Sequence, residues 1–204
     1  INMIATDGRR LAVASGSASS GSGESSCIIP SKALGIMRRL LRNNEAAVRL
    51  SIDENQIHVH VDDGGGQASL SSTLVEGRFP PFEDVIPKDQ DKRVVFDRDT
   101  LSAAVRQAAL LTNEDSRSVR MHFSNKQLVL TSHAPEMGEA EVHLDLPEYD
   151  GEEIEIGFNP NYLSDALKVI DQKEVVFEMK ASNKPGVIRT GKEFTYVLMP
   201  VNLS

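Results

Sequence analysis

His58 and His60 stand two apart in the run QIHVHVD. On a strand that spacing puts both imidazoles on one face, where they would suit two ligands of a metal. No third ligand with workable spacing lies near them, and alternating polar residues on a solvated sheet face account for the pair, so no metal or cofactor is expected. Cys27 leads into a helical segment, where a helix dipole lowers a thiol pKa, but a small strand residue in the core is the plainer reading. The runs GSGES and DDGGG lack both the Lys-Ser/Thr pair of a P-loop and the spacing of a dinucleotide fold. Between Glu136 and Glu155 lie nine acids and no Lys or Arg, and in GEAEVHLDL they alternate with apolar residues, which marks a solvated sheet face. No nucleophile stands with a base, so the chain reads as non-enzymatic.

The basic residues are more informative. Lys32, Arg38, Arg39 and Arg42 fall on the side of one helical segment opposite Leu34, Met37, Leu40 and Leu41. Arg98 and Arg106 face outward on a second, opposite Leu101, Val105, Ala108 and Leu111, and Lys168 on a third, opposite Leu163, Ala166, Leu167 and Ile170. A solvated face is one reading; a weak, sequence-independent grip on phosphates is the other. The net charge is -8, split as -1 over 1–88 and -7 over 89–204, which argues against general adhesion to nucleic acid but leaves room for one basic face toward DNA. If the three helices line one concave surface, their outer faces make a positive track within an acidic protein.

The elements that must position these residues recur. The expected helices start near Ser31, at Asp97 or Asp99, and at Asn159, with Ser31 or its neighbour, Asp97 or Asp99, and Asn159 as caps and Pro160 in a first turn. Strands are expected before each helix at 26–29, 93–96 and 153–158, and after them at 48–52, 56–61, 68–74, 119–123, 127–132, 138–146, 174–180, 186–190 and 194–199. The order strand, helix, strand, strand, strand thus appears three times at intervals of about 65 residues, with a strand over 1–14 left over. One helix per several antiparallel strands gives an α+β architecture with helices on one sheet face. The run GSASSGSGESS reads as a surface loop, and the proline-rich stretch 77–92 as the link between 1–88 and 89–204. A length of 204 residues suits one large or two small domains. No apolar run reaches the roughly 18 residues of a membrane-spanning helix. A single cysteine rules out an intrachain disulfide and fits a reducing cytosol. The opening on Ile1, in what reads as mid-domain sequence, points to a fragment.

Five segments resemble the bacterial sliding clamp, the beta subunit of DNA polymerase III. They are ATDGRRLA (5–12), VEGRFPPFEDVIPK (75–88), LLTNEDSRSVR (110–120), GFNPNYLSDAL (157–167) and YVLMPVNL (196–203), in the family's order. The resemblance implies a clamp fold of one and a half domains, 1–88 as the second half of domain two and 89–204 as domain three. It implies a cytoplasmic bacterial protein whose full-length homodimer rings duplex DNA without reading sequence, which this piece alone would not close. It also implies a pocket for the short peptides of the polymerase III catalytic subunit, other polymerases, the clamp loader and repair proteins. Carried over by position, its wall is Thr6, Gly8, Arg9, Arg10, Leu11, Pro80, Val85, Asn159, Tyr162, Val197, Leu198, Met199, Pro200 and Val201. Leu110 and Leu111 match the ring interface, and the basic helix faces match the DNA-facing wall. Asp84 and Ser116 stand where some relatives carry Arg and an aromatic, Asn202 replaces a frequent Arg, and Ser204 extends the end. The competing reading is an α+β scaffold that binds a protein through its acidic sheet and has no DNA role.

Overall fold

A computed structural model describes residues 1–21, 23–41, 46–112, 118–124, 126–149 and 151–203. Arg42, Ser116 and Ser204 lie outside the described residues. The chain runs β1 (Asn2–Thr6), β2 (Arg10–Ser15), α1 (Ser31–Leu40), β3 (Ala47–Ile52), β4 (Gln56–Asp62), β5 (Gln67–Thr73), β6 (Lys92–Asp97), α2 (Arg98–Ala109) and β7 (Val119–Ser124). It continues through β8 (Gln127–Ala134), β9 (Gly138–Asp145), β10 (Ile154–Phe158), α3 (Pro160–Val169), β11 (Glu174–Met179), β12 (Gly186–Thr190) and β13 (Phe194–Leu198). The fold is α+β, and it divides into a larger unit, residues 1–18 with 82–204, and a smaller one, 19–81.

In the larger unit two segments of the same order interlock. β6, which leads into α2, pairs with β11, which follows α3; β10, which leads into α3, pairs with β7, which follows α2. The result is a four-stranded sheet β10-β7-β8-β9 and a six-stranded sheet β1-β2-β13-β12-β11-β6. The reciprocal exchange lets α2 and α3 pack side by side and bury Leu101, Val105 and Ala108 with Leu163, Ala166, Leu167 and Ile170. Phe177 sits between Phe123 and Phe158, its ring centre 6.2 and 5.7 Å from theirs, the second pair edge to face. Both helices are capped as expected. Asp97 accepts from Thr100 N at 2.8 Å, and Asn159 accepts from Asn161 N at 2.9 Å ahead of Pro160.

The segment expected as one strand over 1–14 is a hairpin. Asp7 and Gly8 turn the chain, Gly8 at φ +82°, and the Asp7 carboxylate accepts from the backbone N–H groups of Arg9 and Arg10 at 3.0 and 3.1 Å. β2 then takes the edge of β13, so residues 1–18 pack with 82–204, whereas the sequence grouping put them in 1–88. The hairpin's sequence position carries no signal of which sheet edge it will take.

The smaller unit is one helix on the three-stranded sheet β3-β4-β5. Met37 meets Ile57, Val59 and Val61, with Leu34, Leu40, Leu70 and Leu74 around them. Three expectations fail here. Residues 26–29 form no strand, because no ladder partner lies beside them among the described residues; the Ile28 carbonyl accepts from Val75 N. Ser31 is the first helical residue rather than a cap, and Pro30 in the cap position offers no side-chain acceptor. Leu41 falls beyond the last turn and is exposed.

Candidate functional site

The Asp-Gly turn delivers Arg9 and Arg10 to the end of β13. Leu11 faces Val197 and Arg10 faces Leu198 across the ladder, and Met199 N donates to the Arg9 carbonyl at 2.9 Å. Thr6 ties the turn together: its hydroxyl donates to the Arg10 carbonyl at 2.8 Å and accepts from Gly8 N at 3.1 Å. Leu11, Val187 and Val197 form a small apolar cluster joined by Ile4, Val13, Phe82 and Ile86.

Arg10 is the centre of the site. Its Nε donates to Asp7 Oδ2 at 2.9 Å, its Nη1 donates to Asp165 Oδ2 at 2.7 Å and to the Tyr196 hydroxyl at 3.2 Å, and its guanidinium lies 4.4 Å from the Tyr162 ring centre. Tyr196 in turn donates to the Tyr162 carbonyl at 3.1 Å. Partial burial works against the Arg10 charge, but the bonds to Asp165, Tyr196 and Asp7 outweigh it and raise its pKa. Burial also opposes the Asp7 charge, yet the Arg9 N–H and the Arg10 guanidinium hold its pKa below the usual carboxylate value. Burial pushes the Tyr196 phenol up, with Arg10 pulling the other way. The guanidinium is thus always charged, held flat on a ring, and bolts the turn to α3.

Of the expected wall, the structure joins Thr6, Gly8, Arg9, Arg10 and Leu11 with Tyr162, Val197, Leu198 and Met199. Val197 is buried beside Leu11 and can serve as a floor, whereas Leu198, next along the strand, is buried in the main core on the other face of the sheet; Met199 is 42 % exposed. Pro200 follows at the strand end, half-buried. Asn159 spends its side-chain oxygen on the helix cap. Val85 is exposed in a turn between Phe82 and Ile86, both packed on the apolar cluster. Val201 bonds to Gly157 instead, its N–H to the Gly157 carbonyl at 2.9 Å, and Leu203 packs so close to Gly157 that a side chain there would collide with it. Pro80 belongs to the smaller unit and is exposed. Sequence reasoning missed Asp7, Asp165 and Tyr196. The Asp-Gly pair was a turn signal on offer, but nothing local links Arg10 to a carboxylate 155 positions away.

The basic residues keep the expected exposure with one correction. Lys32, Arg38 and Arg39 are exposed on α1, Arg106 on α2 and Lys168 on α3. Arg98 is half-buried, its Nε 3.2 Å from Asp99 Oδ1, because its place in the first turn turns it toward its neighbour rather than to solvent. Leu110 is 73 % exposed at the end of α2, and Leu111 beside it is partly buried. His58 bonds Ser71 and Asp53 at 2.8 and 3.1 Å, and His60 bonds Ser69 at 3.0 Å, so both are occupied within their own sheet. Among the described residues no cluster of three His, Cys, Asp or Glu has the arrangement of a metal site. Cys27 is half-buried and burial raises its pKa, the reverse of an activated thiol.

Two adjoining family models match the chain: DNA polymerase III beta subunit, central domain, over residues 1–81, and DNA polymerase III beta subunit, C-terminal domain, over 83–202. The chain belongs to the DNA polymerase III beta subunit family. It is 37 % identical over 205 residues to the beta sliding clamps of Salmonella typhimurium and Escherichia coli, covering 100 % of this chain and 55 % of each relative. It therefore spans about half the length of the curated clamps it matches. A crystal structure of the Pseudomonas aeruginosa sliding clamp bound to griselimycin superimposes with a TM-score of 0.89 at 36 % identity, over 98 % of this chain and 54 % of that one. A Bartonella birtlesii clamp, also bound to griselimycin, matches at 0.89 and 34 %, over 99 % of this chain and 54 % of that one. The sliding-clamp fold is thus shown, and the resemblance read from the five motifs is borne out.

Proposed function

We propose that this chain is the part of a sliding clamp that recruits partner proteins, a non-catalytic processivity factor of DNA replication. The observation that carries the reading is the seat built by three remote segments: the turn at Thr6–Leu11, Tyr162 on α3, and the strand end at Val197–Met199. A buried aliphatic floor beside an exposed, deformable Met suits an apolar peptide anchor, and Arg10 suits the polar groups next to it. Residues 1–88 stand as the second half of clamp domain two and 89–204 as domain three, supported by family matches that meet at 81 and 83. In the full-length homodimer ring, Leu110 and Leu111 contact the neighbouring subunit. The exposed Lys32, Arg38, Arg39, Arg106 and Lys168, with Arg42, face duplex DNA and hold phosphates weakly enough to slide; Arg98 contributes only in part because of its pairing with Asp99. Partners are the polymerase III catalytic subunit, the clamp loader, and other polymerases and repair proteins, all in the bacterial cytoplasm.

The test is the affinity of a fluorescent peptide carrying Gln and a Leu/Phe anchor. Binding near micromolar, about -8 kcal/mol, is expected for the native chain. Met199→Asp should abolish it, because a carboxylate would be buried unpaired. Equal affinity of both proteins places the peptide elsewhere and contradicts the seat.

A further inference from the structure

Gly157 stands in β10 between Ile156 and Phe158, both buried in the main core, so position 157 faces away from that core. Gly157 is buried all the same, under the segment that follows β13. A glycine inside a strand weakens it and marks a place where something else comes close. Unlike Gly8, Gly157 has no left-handed φ, so its own backbone would accept an alanine. What excludes a side chain is residues 201–203. A Cβ at 157 would fall 3.0 Å from the Val201 carbonyl oxygen and run into the end of the Leu203 side chain.

Three ties hold that segment to β10 and β7. Val201 N donates to the Gly157 carbonyl at 2.9 Å and forms an antiparallel bridge there. Leu203 occupies the space a side chain at 157 would take. Arg120, the ladder partner of Gly157, donates from Nη1 to Glu155 Oε1 at 3.0 Å and reaches the Leu203 carbonyl with Nη2 at 3.5 Å. At the near end, Met199 N donates to the Arg9 carbonyl at 2.9 Å. Pro200 alone separates Met199 from Val201, and its ring fixes its own φ. The backbone at Met199 is thus held from both sides, by the Asp-Gly turn and by Gly157, while its side chain stays exposed.

We propose that Gly157 and Leu203 are positioning residues of the peptide seat: the leucine locks into the place of the missing side chain and so fixes Met199 for an apolar anchor. Neither residue touches the peptide. A Met side chain has three rotatable bonds, and a segment free to swing at Val201 leaves the thioether to be ordered at the moment of binding. Ordering one such side chain lowers affinity by about three- to tenfold. The inference rests on the seat proposed above and adds to it two residues outside its wall.

The test titrates the fluorescent Gln- and Leu/Phe-containing peptide into the native chain, Gly157→Ala, Leu203→Ala and the double variant, with Val201 amide exchange and the thermal midpoint measured on each. Gly157→Ala should bind about three- to tenfold more weakly and lose protection at the Val201 amide. Its midpoint should not fall, because alanine suits a strand better than glycine. Leu203→Ala should show the same loss, and the double variant no more than either, since both changes break one tie. Native affinity in Gly157→Ala, a Val201 amide that stays protected, or losses that add in the double variant overturn the proposal. So does an affinity that falls only together with the midpoint, which would report a damaged strand. A native chain that binds no peptide removes the seat itself, and the positioning role with it; native binding with an indifferent Gly157→Ala removes the positioning role alone.

Discussion

The two units are built from the same order of elements, and they differ in whether that order is used twice. In the larger unit, two copies trade their leading strands, and Leu101, Val105, Leu163, Leu167, Phe158 and Phe177 are removed from water. In the smaller unit a single copy buries Met37, Ile57, Val59 and Val61 as one cluster and leaves Val48, Leu50 and Ile52 half open. A lone helix-plus-three-strands repeat cannot cover its own sheet, so stability in this fold comes from pairing. The candidate seat lies where pairing is most complete. Arg10, Tyr162 and Met199 are each held by an element with its sheet or helix already locked, which is what a preorganised binding site requires.

The sharpest way to break the comparison is through the core. Phe177→Ala should cost the larger unit about 3–5 kcal/mol and leave the smaller unit's amide exchange unchanged; urea titration read by amide NMR separates the two. Equal loss in both would mean they unfold as one. A smaller effect is expected at the turn. Gly8 sits at φ +82° in open space, so Gly8→Ala adds backbone strain without a clash, about 1–2 kcal/mol, felt as loosening of β1 and β2 alone. Smaller still are the helix caps. Asp97→Ala should cost about 1 kcal/mol, whereas Ser31→Ala, which removes no cap bond, should cost under about 0.5 kcal/mol. The smallest effect is on pH dependence. The Asp7 pKa is depressed in the folded turn, so its contribution is present above the usual carboxylate pKa and is lost as pH falls through the lower folded value. Amide shifts of Gly8 to Arg10 should follow that titration in the native chain and not in Asp7→Asn.

The same contrast marks how far the sequence could be read. Helices α2 and α3 and their caps were legible because Asp97 and Asn159-Pro160 are local signals at the head of a clear apolar stripe. The strand at 26–29 was expected from its apolar run, but a strand exists only with a neighbour, and that neighbour is not among the described residues of this chain. The hairpin at 2–15 was read as one strand although Asp7-Gly8 marks a turn. Its attachment to β13 rests on a pairing across more than 180 positions, which no local pattern carries. Most of the candidate seat was named through the family's motifs, with Val201 turned away to Gly157 and Asn159 engaged in capping. The carboxylate that fixes Arg10 on α3, Asp165, needed the fold to be seen.

The most direct measurement is an amide NMR map of the chain titrated with the Gln- and Leu/Phe-containing peptide. Shifts concentrated at Gly8 to Leu11, Tyr162 and Val197 to Met199, with His58 and His60 on the outer face of β4 unmoved, are the predicted result. Shifts centred on β4 and β5, with the turn at Gly8 silent, would contradict the assignment of the seat and the proposed function that rests on it.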